Sequence, residues 1–389
     1  MRLTARSCAG ACCRIKQERK LRILYCSQNY SPHDHRFLTA LSETEHEVHW
    51  LRLEQDVRRQ EARPVPAGIR PVIWREDATR TAWTDYPELK NRFREVVRRI
   101  QPDLVHAGPL QRVALLPAMI GFHPLLSMSW GFDIMEDAYR DFIWSAATRY
   151  VLKRSDWFTA DCQTVREKVE GYGFPPERIT IFPWGVDLEI FQPKDCRYER
   201  SQIGYEDDLL IMHTRSWEPR YGVDVALEGF WLAYRQNPRM RMLMMGGGSQ
   251  ERKVKQFVKE KGLEEHILFC GYKENEILAK YYCAADVYLS ASHIDGSSVA
   301  LMEAMACGCV PLVSDIPSNL EWVRDGQEGW AFQDGNPESL AERILEISRS
   351  RDTLREHGQL AHQKARQDAN WKVNFAKLLE IYGKMTARS

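Results

Sequence analysis

The feature that most constrains this chain is a pattern that occurs twice. Short apolar runs alternate with longer amphipathic stretches, first between Leu21 and Phe182 and again between Leu209 and Val313. In the first series the runs are Leu21–Ser27, Val48–Leu53, Asp103–Ala107, Leu125–Ser129, Trp157–Ala160 and Ile179–Phe182. In the second they are Leu209–His213, Met240–Met245, Ile267–Cys270, Val287–Ser290 and Val310–Val313. Runs of this length, bounded by polar and turn residues, read as strands. The stretches between them read as helices, most clearly Leu89, Phe93, Val96, Val97 and Ile100, with Arg92, Arg94, Arg98 and Arg99 on the solvated face. Strands alternating with helices imply a parallel sheet covered on both faces. A length of 389 residues fits two such units.

The expectation is therefore an α/β protein of two doubly wound, Rossmann-like domains facing across a cleft. The first runs from about Leu21 to Asp195 and the second from about Arg200 to Gln367, with the polar stretch Lys194–Asp208 as linker. A last helix, around Asn370 to Met385 within residues 368–389, is expected to cross back onto the first domain. Residues 1–20 carry six basic side chains (Arg2, Arg6, Arg14, Lys16, Arg19, Lys20) against Glu18 and lack an apolar leader core. They read as a disordered tail or a start assigned too far upstream.

Formal net charge is zero, so no global field draws the chain to nucleic acid. No run reaches the roughly eighteen apolar residues that span a bilayer. Cys307 and Cys309, one residue apart in a helix-to-strand turn, suit neither a disulfide nor a tetrahedral zinc site. Reduced thiols, a cytoplasmic setting, no metal and no cofactor are the expectation.

In doubly wound sheets ligands bind beyond the carboxyl ends of the strands. Asp295-Gly-Ser-Ser-Val299 follows one strand and opens a helix for which Ser297 is the expected N-cap. The amides around Ser298 and Val299, at the positive end of that helix, suit a phosphate. Glu303, little more than a turn further, suits two vicinal hydroxyls. Arg215 stands beyond another strand, where a guanidinium suits bidentate phosphate binding. Gly246-Gly247-Gly248 ends a third and permits close backbone approach.

The second half resembles the retaining, GT-B-fold glycosyltransferases of family four. The resemblance is carried by Pro183-Trp-Gly-Val-Asp187 with Phe191, Phe269-Cys-Gly271-Tyr272, Tyr281-Tyr282, Ala285-Asp286-Val287, Glu321-Trp-Val-Arg-Asp-Gly326 and Gly329-Trp-Ala-Phe332. It implies transfer of a sugar from a nucleoside-diphosphate sugar, with Arg215 on the diphosphate, Glu303 on the ribose, Ser298 and Val299 on the distal phosphate, and Gly271 and Tyr272 near the base. Three departures stand out. Asp295 occupies the place of a glutamate that would contact the donor sugar. Tyr221 stands before Gly222 where a lysine is usual, with Arg220 adjacent as a replacement cation. Ser31-Pro-His-Asp-His-Arg36 replaces a paired-glycine loop. Trp130-Gly-Phe-Asp133 follows a strand where the family has a related segment, which makes Asp133 a sugar or acceptor contact beside Trp130. His106 and Gly108 would border the same cleft, His106 alternatively being a core residue.

The acceptor is open between a glycan, a lipid-linked molecule and a small metabolite. Tyr139–Arg154 mixes aromatic and basic residues and reads either as a half-buried helix or as a peripheral membrane contact on the inner face. An epimerase or phosphorylase on the same fold, and a non-catalytic nucleotide-sugar-binding protein, are the rival readings.

Overall fold

The computed structural model describes residues 19–54, 61–75, 80–203 and 207–387; residues 1–18 of the basic N-terminal stretch lie outside them. Two parallel sheets form the frame. The first contains β1 (Arg22–Ser27), β2 (Glu47–Arg52), β3 (Ile69–Pro71), β4 (Leu104–Ala107), β5 (Leu125–Met128), β6 (Trp157–Ala160) and β7 (Ile179–Ile181), in the order β3-β2-β1-β4-β5-β6-β7. The second contains β8 (Leu209–His213), β9 (Met240–Met245), β10 (Ile267–Gly271), β11 (Val287–Ser290), β12 (Val310–Ser314) and β13 (Trp330–Phe332), in the order β10-β9-β8-β11-β12-β13. Every strand pairing is parallel.

The central strands β4, β5, β8, β11 and β12 are buried at every residue, as a sheet covered on both faces requires. In the first domain Leu24, Val105, Phe158 and Phe93 fill one side, while Ile23, Tyr25, Phe37 and Leu126 fill the other. In the second, Ile211, Phe230 and Leu289 face one layer and Met212, Tyr288 and Leu301 face the other. The edge strands β3 and β13 are the two that periodicity does not reveal. Each has three residues, as does the edge strand β7, which is legible only through the apolar run Ile179–Phe182.

Two local differences from the sequence reading matter for the site. The loop after β1 is shorter than expected, because Ser31 and Asp34 form a reciprocal capping box with Pro32 in the first turn, and the helix Pro32–Ser42 starts there. The polar stretch Lys194–Asp208 contains the helix Arg197–Ile203, whose Arg200 pairs with Asp286 at 3.0 Å and joins the second domain. Residues 204–206 of that stretch lie outside the described residues.

The last helix, Trp371–Thr386, packs Trp371, Phe375, Leu378, Ile381 and Tyr382 against the first sheet's Tyr25 and Phe37 layer. Its entry is fixed by a parallel bridge between Val186 and Asn370. There Gly185 has φ +68° and a Cβ would lie 2.5 Å from the Ala369 carbonyl oxygen. Gly185→Ala is therefore expected to cost about 2–4 kcal/mol through backbone strain and overpacking. An unchanged urea midpoint would contradict this account of the crossing.

Candidate functional site

The two lobes meet through the loops at the carboxyl ends of their strands. Asp161, directly after β6, accepts a hydrogen bond from the Ser297 amide at 2.9 Å. Glu321 of the second domain accepts from the amides of Gln163 and Thr164, each at 2.8 Å, and from the Thr164 hydroxyl at 2.6 Å. Arg220 pairs with Glu136 at 3.1 Å and lies over the Phe132 ring. Gly131 and Gly296 approach so closely that a Cβ on the first would stand 2.8 Å from the amide nitrogen of the second.

Within this junction the second domain builds a cationic corner. Nη1 of Arg215 donates to the Ser298 hydroxyl at 2.9 Å, Nη2 lies 2.6 Å from Asp295, and the guanidinium covers the Tyr221 ring at 4.1 Å. Burial opposes the charge, but Asp295 and the surrounding tyrosines hold the guanidinium's pKa above its usual value. Ser298, not Ser297, caps the helix Val299–Ala306; its hydroxyl also accepts from the Leu301 amide. The Ser297 hydroxyl instead accepts from the Trp322 indole at 3.1 Å. A helix start leaves its first amides without intrahelical partners, here those of Val299 and Ala300, next to the Ser298 cap that Arg215 meets.

Glu303 lies on the same helix, 3.3 Å from the Tyr282 hydroxyl, which also meets Thr214 at 2.9 Å. Gly246, just after β9, and Gly271, the last residue of β10, have positive φ. The exposed Tyr272 ring lies about 4 Å from where side chains on Gly246 and Gly247 would begin. Gly248 has no room for a Cβ, which would stand 2.5 Å from the Trp217 carbonyl oxygen. Arg215, Tyr221, Asp295, Ser298, Val299 and Glu303 thus form one corner, and Gly246, Gly248, Gly271 and Tyr272 form a ledge beside it.

The first domain's expected contacts divide differently. Asp133 is buried and engaged within its own loop: one oxygen accepts from Ser129, Trp130 and Ile134, the other from the Leu110 amide. It shapes its own loop, is fully buried and has both oxygens engaged, which speaks against the sugar or acceptor contact expected of it. His106 is a core residue, its Nδ1 2.7 Å from the Tyr382 hydroxyl and its ring edge-on to Tyr25. Burial pulls its pKa down to about 3. Gly108 is needed for space, since a Cβ would stand 2.9 Å from Nε1 of Trp130. Trp130 packs edge-on against Trp184 at 5.2 Å, close to His33. Arg220 pairs with Glu136 and makes no contact with Arg215, although its charge also reaches Asp295.

His33, Arg36 and Asp161 have no individual role assigned from sequence: the first two lie within the Ser31–Arg36 segment, on the helix after β1, and Asp161 directly follows β6. The strand-end rule pointed at their loops, but not at which side chains turn inward. Asp161 is the most enclosed of them, with Oδ1 buried and unpartnered. Burial, reinforced by the charges of Asp133 and Asp295 against the Ser297 hydrogen bond, raises its pKa to about 7. Burial also raises Glu303 to about 7, opposed by Arg36, Tyr282 and Arg215. Both carboxyls titrate near 4 in an unfolded chain. The protonated form is favoured in the fold, so this stabilising contribution is full below about pH 4 and is lost as pH rises through about 7. Between pH 5 and 8 the melting temperature of ligand-free Glu303→Gln is thus expected to fall less steeply with pH than that of the wild type. Identical slopes would contradict the assignment.

Among the described residues no helix is long and apolar enough to cross a membrane, and no cluster of ligating side chains could hold a metal ion. The seven described cysteines carry free thiols. The helix Phe142–Leu152 buries Trp144, Val151 and Leu152 and leaves Phe142 86% and Ile143 53% exposed, beside exposed Tyr139.

Comparison with known proteins bears on the family and the fold. Residues 33–190 match the family model described as Glycosyltransferase Family 4, and residues 197–365 match that for Glycosyl transferases group 1. WcaL of Salmonella typhimurium, a glycosyltransferase assigned to colanic acid biosynthesis, is 31% identical over 211 residues, which is 52% of this chain and 50% of that protein. The D-inositol 3-phosphate glycosyltransferase of Geodermatophilus obscurus is 28% identical over 206 residues, 50% of this chain and 45% of that one. The chain thus matches about half the length of these curated relatives. Anabaena HepE, crystallised in complex with UDP and glucose, superposes with a TM-score of 0.77 over 94% of this chain and 100% of its own, at 15% identity. That likeness concerns the fold.

Proposed function

This chain belongs to the GT-B-fold glycosyltransferases, and on that premise we propose that it transfers a sugar from a nucleoside-diphosphate sugar to an acceptor bound in the cleft, retaining the anomeric configuration and needing no metal ion. The observation that carries this reading is the convergence of Arg215 on Ser298 at the mouth of the helix Val299–Ala306. As the glycosidic bond breaks, negative charge grows on the leaving diphosphate. A guanidinium and oriented helix amides, fixed in advance, stabilise that charge without reorganisation. Glu303 takes the ribose hydroxyls, and the base lies on the ledge of Gly246, Gly271 and Tyr272. Asp295, once released from Arg215 by the diphosphate, contacts the transferred sugar. The HepE complex with UDP and glucose supports a nucleotide sugar as donor.

The acceptor enters from the first domain, past Trp130 and Trp184. The relatives' names span a polysaccharide pathway and an inositol phosphate, so the acceptor class stays open between glycan, lipid-linked and small molecules. Exposed Phe142, Ile143 and Tyr139 favour a peripheral membrane contact for a lipid-linked one.

The test is a thermal-shift panel of UDP-, GDP- and ADP-sugars, followed by transfer assays with the sugar that binds. One donor should raise the melting temperature, its transfer should survive chelation by EDTA, and the product should keep the donor's anomeric configuration by NMR. Conversion of the donor without acceptor would indicate an epimerase. A panel in which nothing binds would remove the reading.

A further inference from the structure

The charge in the Arg215 corner is largely spent before any ligand arrives. Asp295 lies 2.6 Å from it, and the helix mouth adds only partial charges. A diphosphate carries more than one negative charge, and Arg220, the obvious second cation, is paired with Glu136 and shares its field with Asp295.

Arg36 is placed differently. The Ser31–Asp34 capping box starts its helix at Pro32, so His33 and Arg36, three residues apart, share a face. Nη1 of Arg36 donates to the Gly185 carbonyl at 2.6 Å, and the guanidinium lies 4.7 Å over the Trp371 ring. Its Nε and Nη2 are buried and meet no acceptor. A buried cationic N–H without a partner is costly, and a bound anion is what relieves it.

The surroundings point to one shared space. Glu303 interacts electrostatically with both Arg36 and Arg215, yet among the described residues no ion pair joins it to either. His33 feels the same two guanidiniums; burial, then Arg36, then Arg215 pull its pKa to about 3 and keep the ring neutral. That ring makes no hydrogen bond among the described residues and stands edge-on to Trp184 at 4.8 Å. Two cations, a neutral imidazole and a carboxyl therefore border the gap between the lobes.

We propose that Arg36 is a second phosphate-binding cation of the donor site, reaching the nucleoside diphosphate from the N-terminal domain while Arg215 holds it from the C-terminal domain. The inference rests on the donor-site reading above. It makes diphosphate binding a force for lobe closure, because the two cations sit on different domains, and it completes leaving-group stabilisation only in the closed enzyme.

Calorimetric titration of the full chain with UDP, GDP and ADP, and with the corresponding nucleosides, tests it. For the nucleotide that binds the wild type, Arg36→Gln should weaken the diphosphate roughly 10- to 100-fold, as loss of charged hydrogen bonds does, and change nucleoside affinity less than about twofold. Arg36→Lys keeps a charge over Trp371 but loses the planar fork, and should fall between; it also decides the matter if Arg36→Gln does not fold. Equal diphosphate affinity in the wild type and the folded Arg36 variants, with Arg215→Gln weakened, would overturn the role of Arg36 and leave the donor site standing. Equal losses for nucleoside and diphosphate would mark Arg36 as a structural tether, which also overturns it. A wild type that binds no nucleoside diphosphate would remove the donor-site reading and this inference with it.

Discussion

Arg215→Ala is expected to lower kcat/KM for sugar transfer by roughly 10²- to 10³-fold, the scale of losing one preorganised donor to a developing anion. The loss should be larger than for a surface arginine, because the side chain is only 12% exposed and points at the helix mouth. Part of the effect is indirect, since Asp295 is left enclosed without its cation and would repel the diphosphate. Arg215→Ala/Asp295→Asn should therefore recover part of the donor affinity but not the rate. Steady-state kinetics on single and double variants separate the two contributions. Wild-type turnover in Arg215→Ala would remove the guanidinium from the mechanism.

Gly296→Ala is the second large effect, and it acts through closure. A Cβ at Gly296 would stand 1.9 Å from Oδ2 of Asp161, the oxygen that accepts from the Ser297 amide. The lobes cannot keep this contact with a methyl between them. Overpacking of this kind costs about 1–3 kcal/mol, so kcat/KM should fall roughly 5- to 150-fold, while the thermal stability of each lobe changes little. Removing the obstacle should help: in an Asp161→Ala background the added methyl should cost much less, a coupling that a double-mutant cycle reads directly. Additive effects would mean that the added methyl does not act through Asp161, and an unchanged kcat/KM in Gly296→Ala would remove the junction from turnover.

The sequence reveals the fold class because the strands that matter are buried on both faces. Leu209–His213 and Val287–Ser290 are apolar runs closed by a single polar residue, and their limits coincide with β8 and β11. Ile69–Pro71 and Trp330–Phe332 escape notice as three-residue edge strands. The corner around Arg215 is legible for a local reason, since strand, loop and helix start fix where Ser298 and Glu303 project. Contributions from the other lobe depend on how the domains meet, which no spacing encodes. Hence Asp133 looks like a free carboxylate in sequence and proves to be consumed by four neighbours. Asp161, Arg36 and His33 are assigned no role for the converse reason. The capping serine is displaced by one residue, and the Ser297 hydroxyl instead accepts from the indole of Trp322, remote in sequence.

The most direct test of the account is a crystal structure with the nucleoside diphosphate that the binding screen selects. The prediction is a distal phosphate on the amides of Val299 and Ala300 within hydrogen-bond reach of Arg215, ribose hydroxyls on Glu303, and Asp295 freed from the guanidinium. A nucleotide bound with its phosphates away from the helix Val299–Ala306, and Arg215 still closed on Asp295, would contradict it.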